Sequence, residues 1–149
     1  MYLLSTFIAL ASVHQSHSAT LSNAPRAVQI SYDQVYSNSS STLSTVACAS
    51  SPNNPNKSGH NATFNSKVYI AASDLIPKFD SPFCFTCWDL FYTLQDGEQN
   101  AITVAAVDST DSGFVVSPEA LDALTHGQAE RLGVAKGQAS QVDRSRCRL

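Results

Sequence analysis

Apolar residues occupy every second position in the segment Ala27–Asp33. Val28, Ile30 and Tyr32 are the apolar positions, and each is followed by a polar or charged residue. Successive side chains of a β-strand point to opposite faces of a sheet. The alternation therefore predicts a half-buried strand with one face against a core.

Two further strands are predicted in the second half of the chain. Cys87–Leu94 is rich in aromatic and apolar residues, and Ala101–Val107 is almost continuously apolar. The dipeptide Asp96-Gly97 lies between them, and Asp-Gly is a common turn sequence in β-hairpins. We therefore expect the two strands to be joined by a tight turn.

A single helix is predicted after these strands. Serine often caps a helix N-terminus, proline fits the first helical position, and glycine commonly follows the last one. The signals here are the N-cap Ser117, Pro118, the acidic Glu119, the shared apolar face of Leu121 and Leu124, and the stop at Gly127. Short strands, polar loops and one small helix favour an all-β barrel over a βαβ fold.

The chain begins with an apolar segment, Tyr2–Val13, which small residues follow up to Ala19. It is long enough for the core of a signal peptide and shorter than the about 20 residues that span a bilayer. We expect residues 1–18 to be a signal peptide and residues 19–149 to form one secreted domain, located outside the cell or in the cell wall. The alternative is an N-terminal buried helix, although the segment has no amphipathic stripe.

A polar region separates the first predicted strand from the later ones. Ser37–Ser41 and Ser50–Ser58 are rich in serine and asparagine, and the second contains two prolines, so both are expected to be loops. The acceptor sequons for N-glycosylation in this region begin at Asn38, Asn56 and Asn61.

The composition of the chain argues against two classes of binding partner, nucleic acids and anionic lipids. Charged residues make up 14% of the chain, hydrophobic residues make up 43%, and the formal net charge is −3. Such a globular, slightly acidic chain lacks the basic surface that binds nucleic acid or anionic lipid. We expect a monomer that binds neither nucleic acid nor membranes and that carries no cofactor.

The four cysteines are Cys48, Cys84, Cys87 and Cys147. A C-x-x-C motif can serve thioredoxin-like redox chemistry or form half of a zinc site. His60 and His126 do not have the spacing from a cysteine that a zinc site needs, and an exported chain lies in an oxidising compartment, so no metal is expected. Two disulfides are predicted instead, and spacing alone leaves three pairings open.

Several blocks of the chain, in order, resemble the cerato-platanin family of small secreted fungal proteins. The resemblance extends from about Val28 to Leu149. Its blocks are Ser31-Tyr32-Asp33 with Tyr36, Leu43–Cys48, Ser81–Tyr92 around the C-x-x-C motif, Ala106-Val107-Asp108 with Gly113-Phe114, Ser117–Gly133, and Gln141-Val142 with Cys147.

The resemblance implies a fold that is all-β with small helices, a six-stranded double-psi β-barrel stapled by disulfides and related to expansins. It also implies that Cys48 pairs with Cys84 and that Cys87 pairs with Cys147. The chain departs from the family pattern at Ser37, Ala49 and Ser50, where two surface carboxylates are missing.

The resemblance implies a site as well as a fold. Members of the family are thought to bind oligosaccharides, particularly N-acetylglucosamine polymers, and to loosen polysaccharide packing without hydrolysis. Asp108 matches an acidic position of the family and is predicted to hydrogen-bond sugar, although a carboxylate there could instead cap the following loop. The other predicted glycan-binding residues are Tyr32, Asp33, Ser109, Thr110 and Ser112. Tyr32 could equally pack in the core, and Trp88 is expected to do so.

No catalytic residue is predicted, so the chain is not expected to be an enzyme. Glycoside hydrolysis needs two carboxyl groups flanking the bond, one with a raised pKa. Asp108 and Asp111 are the only acidic pair near the predicted site, and nothing around them in sequence suggests an apolar pocket. The expected function is binding of polysaccharide or chitooligosaccharide, with loosening of the polymer. The alternatives are an elicitor recognised by a plant host receptor and a surface-active protein that self-assembles.

Overall fold

The computed structural model describes residues 24–37, 43–55 and 68–147. The predicted signal peptide and the sequon residues Asn38, Asn56 and Asn61 lie outside these ranges. The elements are β1 (Arg26–Tyr32), β2 (Tyr69–Ser73), β3 (Thr86–Thr93), β4 (Gln99–Ser109), β5 (Phe114–Val116), α1 (Pro118–Thr125), α2 (Ala129–Leu132) and β6 (Val134–Val142), with 3-10 turns at Gln34–Ser37, Leu43–Thr45 and Arg144–Cys147.

The strands close into a barrel in the order β1-β5-β2-β4-β3-β6. β1 is parallel to β5 and β2 is parallel to β4, whereas the other neighbours are antiparallel. Closure gives each of these six strands a partner on both sides. The predicted six-stranded, all-β barrel with small helices and two disulfides is confirmed.

The inward-facing side chains of the strands form one apolar core with the inner face of α1. The fully buried members include Ile30, Leu90, Val104, Phe114, Leu121 and Leu124. Trp88 packs in this core, as its position beside a disulfide cysteine predicted, and its exposed fraction is 5%. The core therefore occupies the barrel interior and leaves the strand ends and loops for function.

The three strands predicted from the hydrophobic pattern are present as β1, β3 and β4. Asp96-Gly97 lies in the turn between β3 and β4, as predicted. α1 begins as predicted, because the Ala120 amide donates to the Ser117 hydroxyl at 3.1 Å. Its end differs from the prediction. The left-handed residue after the helix is His126, and Gly127 follows it. The pattern predicted one helix, and the structure adds the short α2.

Two disulfides hold the barrel to its flanking segments. Cys48 pairs with Cys84 and Cys87 pairs with Cys147, with Cα–Cα distances of 5.5 and 5.9 Å. These are the pairs that the family resemblance implies. The first joins the segment after β1 to the residues just before β3, and the second joins β3 to the C-terminal 3-10 turn.

Within the described parts of the chain, no helix has the length and hydrophobicity needed to cross a lipid bilayer.

Arg26 is the charged residue on the inward face of β1. Its guanidinium lies 5.8 Å from the ring centroid of Trp88 and 5.4 Å from that of Phe114. It also donates to both carboxyl oxygens of Asp74, at 2.6 and 3.2 Å. The Gly113 amide donates to the same carboxyl group at 3.0 Å. Asp74 therefore links β1 to the loop that precedes β5.

The Asp74 contacts predict a stability that depends on pH. Partial burial alone would raise the pKa of Asp74, but the hydrogen bonds from Arg26 and Gly113 outweigh it and lower the pKa below its usual 3.8. A carboxyl whose folded pKa is depressed stabilises the fold above its unfolded pKa and loses that contribution as the pH falls through the folded pKa. Urea midpoints measured from pH 6 down to about pH 2 should therefore fall more steeply below about pH 4 in the wild type than in Asp74→Asn.

Asp80→Asn is the matched control for this pH series. Asp80 pairs with Lys78 at 3.5 Å on the surface, with 46% of its side chain exposed. An exposed pair of this kind contributes little to stability. Its loss should leave the acid slope unchanged, and equal slopes in the wild type and Asp74→Asn would contradict the assignment.

Candidate functional site

Asp108 lies close to the end of β4, beside a bulge in the barrel wall. Ala71 of β2 pairs with Ala106, but Ala72 pairs with Asp108, so Val107 has no partner in β2. The carbonyl of Val107 instead accepts a hydrogen bond from the Cys48 amide at 3.0 Å. Bulges redirect side chains at the edges of functional surfaces. Here the bulge brings the segment around Cys48 against the strand that carries Asp108.

Three hydrogen bonds fix the Asp108 carboxyl group. Its Oδ1 accepts from the amides of Ala47 and Ser109, both at 2.8 Å, and its Oδ2 accepts from the Tyr36 hydroxyl at 3.0 Å. A carboxylate has about four acceptor positions, so one position on Oδ2 remains for a further donor. Asp108 is half-buried. It therefore both anchors neighbouring segments, as the loop-cap alternative expected, and retains capacity for a ligand.

Tyr36 is held in its protonated, donating form. Burial raises the pKa of its hydroxyl, and the neighbouring Asp108 and Asp33 carboxyl groups raise it further. The hydroxyl therefore keeps its proton throughout the physiological pH range and orients Oδ2 of Asp108. The Tyr36 amide also donates to the Asp33 carbonyl at 3.2 Å, so Tyr36 contacts both Asp33 and Asp108. We call the area formed by Asp33, Tyr36, Asp108 and Ser109 the Asp108 surface.

Asp33 and its 3-10 turn form one side of the Asp108 surface. The Asp33 amide donates to the Val116 carbonyl at 2.9 Å, which ties the turn to β5. One Asp33 carboxyl oxygen accepts from the Val35 amide at 2.9 Å, and the side chain is exposed. Ser37, one of the departures from the family pattern, donates its hydroxyl to Glu119 at 2.9 Å. That contact joins the turn to the start of α1.

The structure brings together only part of the predicted glycan-binding set. Asp33, Asp108 and the exposed Ser109 lie together, whereas Tyr32 is half-buried and packs against the core. Thr110 is half-buried in the loop after β4. Ser112 lines a groove of about 380 Å³ with Gln29, Asp74 and Lys136, among other residues, and Asp108 is not part of that lining.

Tyr36 and the Ala47 amide are the parts of the site that sequence reasoning did not assign. They lie 72 and 61 residues from Asp108 in the chain. Tyr36 belongs to the first block of the family resemblance, and that was the available signal for it. A backbone amide such as that of Ala47 leaves no signal in sequence, because every residue except proline carries one.

Comparison with known proteins identifies a family for the chain. A family model described as Cerato-platanin matches residues 28–149. Allergen Asp f 15 of Aspergillus fumigatus is 33% identical over 123 residues, which cover 80% of this chain and 76% of the relative. The crystal structure of cerato-platanin 3 from M. perniciosa is 40% identical, with a TM-score of 0.74, and the match covers 83% of this chain and 100% of that one. The solution structure of the fungal elicitor Cerato-Platanin is 30% identical, with a TM-score of 0.63, over 80% of this chain and 96% of that one.

Proposed function

Because the chain belongs to the cerato-platanin family, we propose that it is a secreted, non-catalytic protein that binds cell-wall polysaccharide at the Asp108 surface. The ligand class is chitin, as N-acetylglucosamine oligomers, or cellulose, and binding loosens the packing of the polymer. The proposed location is outside the cell or in the cell wall. Two structural disulfides support it, because such bonds persist in oxidising compartments.

The observation that carries the proposal is the fixed Asp108 carboxyl group with one acceptor position left on Oδ2. Sugars present hydroxyl and amide donors, and a carboxyl oxygen held in place accepts from them without having to be ordered on binding. Hydrogen bonds to a charged group are also stronger than those between neutral groups. The exposed Ser109 adds a hydroxyl group next to Asp108, and the half-buried Thr110 follows it in the loop after β4. Tyr32, half-buried at the end of β1, precedes Asp33 of the same surface.

The proposed absence of hydrolysis follows from how the nearby carboxyl groups are used. Asp108 accepts from two amides and the Tyr36 hydroxyl, and Asp33 accepts from the Val35 amide. A glycosidase needs one carboxyl group free to donate a proton to the leaving oxygen and a second to attack or to activate water. Both groups here are instead acceptors within hydrogen-bonded loops, which suits binding.

Asp108→Asn should weaken retention on insoluble chitin by about tenfold, because the variant removes the charge at the remaining acceptor position. Asparagine keeps an oxygen for the Ala47 and Ser109 amides, so these two contacts survive. Its NH2 group replaces Oδ2 and accepts neither from the Tyr36 hydroxyl nor from a sugar hydroxyl. Asp111→Asn is the matched control, since it makes the same charge change three residues away on an exposed part of the loop. The fraction of protein bound to washed chitin and cellulose is the measurement.

Equal retention of the wild type and Asp108→Asn would reject the Asp108 surface as the binding site. Failure of the wild type to bind either polymer would reject polysaccharide binding itself. A loss of retention in Asp111→Asn as large as in Asp108→Asn would indicate a general charge effect.

A second function is favoured by one of the solved structures, which is described as a fungal elicitor and is 30% identical to this chain. In this alternative a plant host receptor recognises the folded surface, independently of glycan binding. Purified Asp108→Asn should then trigger host defence responses as strongly as the wild type. Loss of both the response and chitin retention in the same variant would make glycan binding part of recognition.

A further inference from the structure

A cavity of about 230 Å³ lies between the hairpin that joins β3 to β4 and the connection between α1 and α2. Tyr92 and Leu94 form the apolar part of its lining. The polar and charged part includes Gln95, Asp96, His126 and Gln128. The volume is below the about 300–1,000 Å³ of pockets for drug-sized ligands, so it suits one small ring.

The cavity is remote from the Asp108 surface. β4 runs from Gln99, next to the hairpin, to Ser109. The nine residue steps from Gln99 to Asp108 span roughly 30 Å at about 3.3 Å per step. The two features therefore lie at opposite ends of one strand, and a ligand in the cavity cannot also contact Asp108 unless it is an extended polymer.

His126 adopts a backbone conformation that glycine would adopt with less strain. Among the described residues, Phe85 and His126 are the two non-glycine residues with positive φ, and His126 has φ 55° and ψ 51°. Phe85 is fully buried in the core, whereas His126 is exposed and lines the cavity. Strained residues that do not serve packing tend to occur where a side chain has a function.

Polar groups of the cavity remain available to a ligand. In the described part of the chain, neither the His126 imidazole nor the Gln95 amide has a hydrogen-bond partner. Asp96 uses Oδ1 to accept from the Glu98 amide at 3.0 Å, which leaves Oδ2 free. Tyr92 and Leu94 supply the apolar wall. Planar polar groups beside an aromatic ring match the hydroxyl edge and the apolar face of a sugar ring.

We propose that this cavity is a second saccharide site, which holds a single uncharged pyranose ring, free or at the end of a chain. The inference rests on the proposed polysaccharide binding and extends it to the other end of the barrel. With two sites roughly 30 Å apart, one protein molecule contacts either two polymer chains or two distant parts of one chain. Multivalent contact of this kind raises avidity without new interactions at either site.

The test is an amide-resolved NMR titration with N-acetylglucosamine and with a chitin tetramer. We expect saturable shifts at Gln95, Asp96 and Gly127 that persist in Asp108→Asn. His126→Gly should weaken this binding about three- to tenfold, because one hydrogen-bonding side chain is lost. The same variant should raise Tm by about 2–5 °C, because the strained position then carries glycine. Gln95→Ala is a second variant that should weaken binding with unchanged Tm.

The outcomes separate the two sites. Shifts confined to Ala47, Asp108 and Ser109 would overturn the second site and leave the Asp108 surface intact. Shifts confined to the cavity would support the second site and reject the Asp108 surface. No shift with either sugar would reject both. A His126→Gly variant that binds normally would overturn the role of His126 in the second site, and one that is less stable than the wild type would show that the histidine serves the fold.

Discussion

Replacing Cys87 and Cys147 together by alanine is expected to lower the free energy of unfolding by about 4 kcal/mol, measured by urea denaturation without reductant. The bond closes a loop of 60 residues, so its loss frees a large part of the unfolded chain. Without it, the Arg144–Cys147 turn keeps surface contacts such as those of Arg146 with Asp89 at 3.0 Å and of Arg144 with the Asn53 carbonyl at 3.2 Å. The Arg146 side chain is 56% exposed, and such pairs contribute at most about 1 kcal/mol.

The Cys48–Cys84 pair provides the comparison for this experiment. It closes a loop of 36 residues, and the chain-entropy treatment gives about 3.8 kcal/mol for it, only slightly less than for the longer loop. Both double variants should therefore unfold at clearly lower urea concentration than the wild type. An unchanged midpoint for either would mean that the corresponding bond does not brace the barrel.

Phe114→Ala is expected to destabilise the protein by about 3–5 kcal/mol, the usual range for removing a buried aromatic ring. The Phe114 side chain is fully buried in β5. Its ring centroid lies 5.6 Å from that of Trp88, and the Arg26 guanidinium lies 5.4 Å from it. The substitution leaves a cavity and removes one of the two rings against which Arg26 rests.

Phe79→Ala is the matched control, because it removes the same ring from a position that is 55% exposed. Surface substitutions of this kind change stability by about 0.5 kcal/mol or less. Thermal and urea unfolding should separate the two variants clearly. Similar losses in both would contradict the placement of Phe114 at the centre of the core.

The elements predicted correctly from sequence are those whose pattern is local. β1 alternates, β3 and β4 are long and apolar, and α1 has a serine cap followed by proline. β2 and β5 have five and three residues, too few to establish a period. β6 was missed because its buried positions are the small Ala135 and Ala139, which give little hydrophobic contrast. In the closed barrel, β2, β5 and β6 form because they pair with strands that have a clear hydrophobic pattern. That pairing cannot be predicted from the local sequence pattern.

The candidate site was also predicted only in part. Asp108 stands out because a carboxylate follows an apolar strand and matches a family position. Its contacts with Tyr36 and Ala47 depend on the bulge at Val107, which exists only once β2 and β4 are paired. The predicted set already included Tyr32 and Asp33 at the end of β1 and otherwise followed the chain from Asp108 to Ser112. The structure keeps Asp33 beside Asp108 and adds Tyr36 from the turn after β1.

The end of α1 shows the same limit. Gly127 was predicted to stop the helix because glycine tolerates left-handed backbone. The chain uses His126 at the first left-handed position and places Gly127 after it. Backbone propensity favours glycine at this position. The presence of histidine points to a role for its side chain only once the cavity that it lines is known.

Native mass spectrometry of the protein mixed with a chitin tetramer reports both binding and cleavage in one spectrum. We expect a complex that contains the intact tetramer, reduced in abundance by Asp108→Asn and unaffected by Asp111→Asn. Absence of any complex, or the appearance of shorter oligomers that depend on Asp108, would contradict a barrel that binds polysaccharide without cutting it.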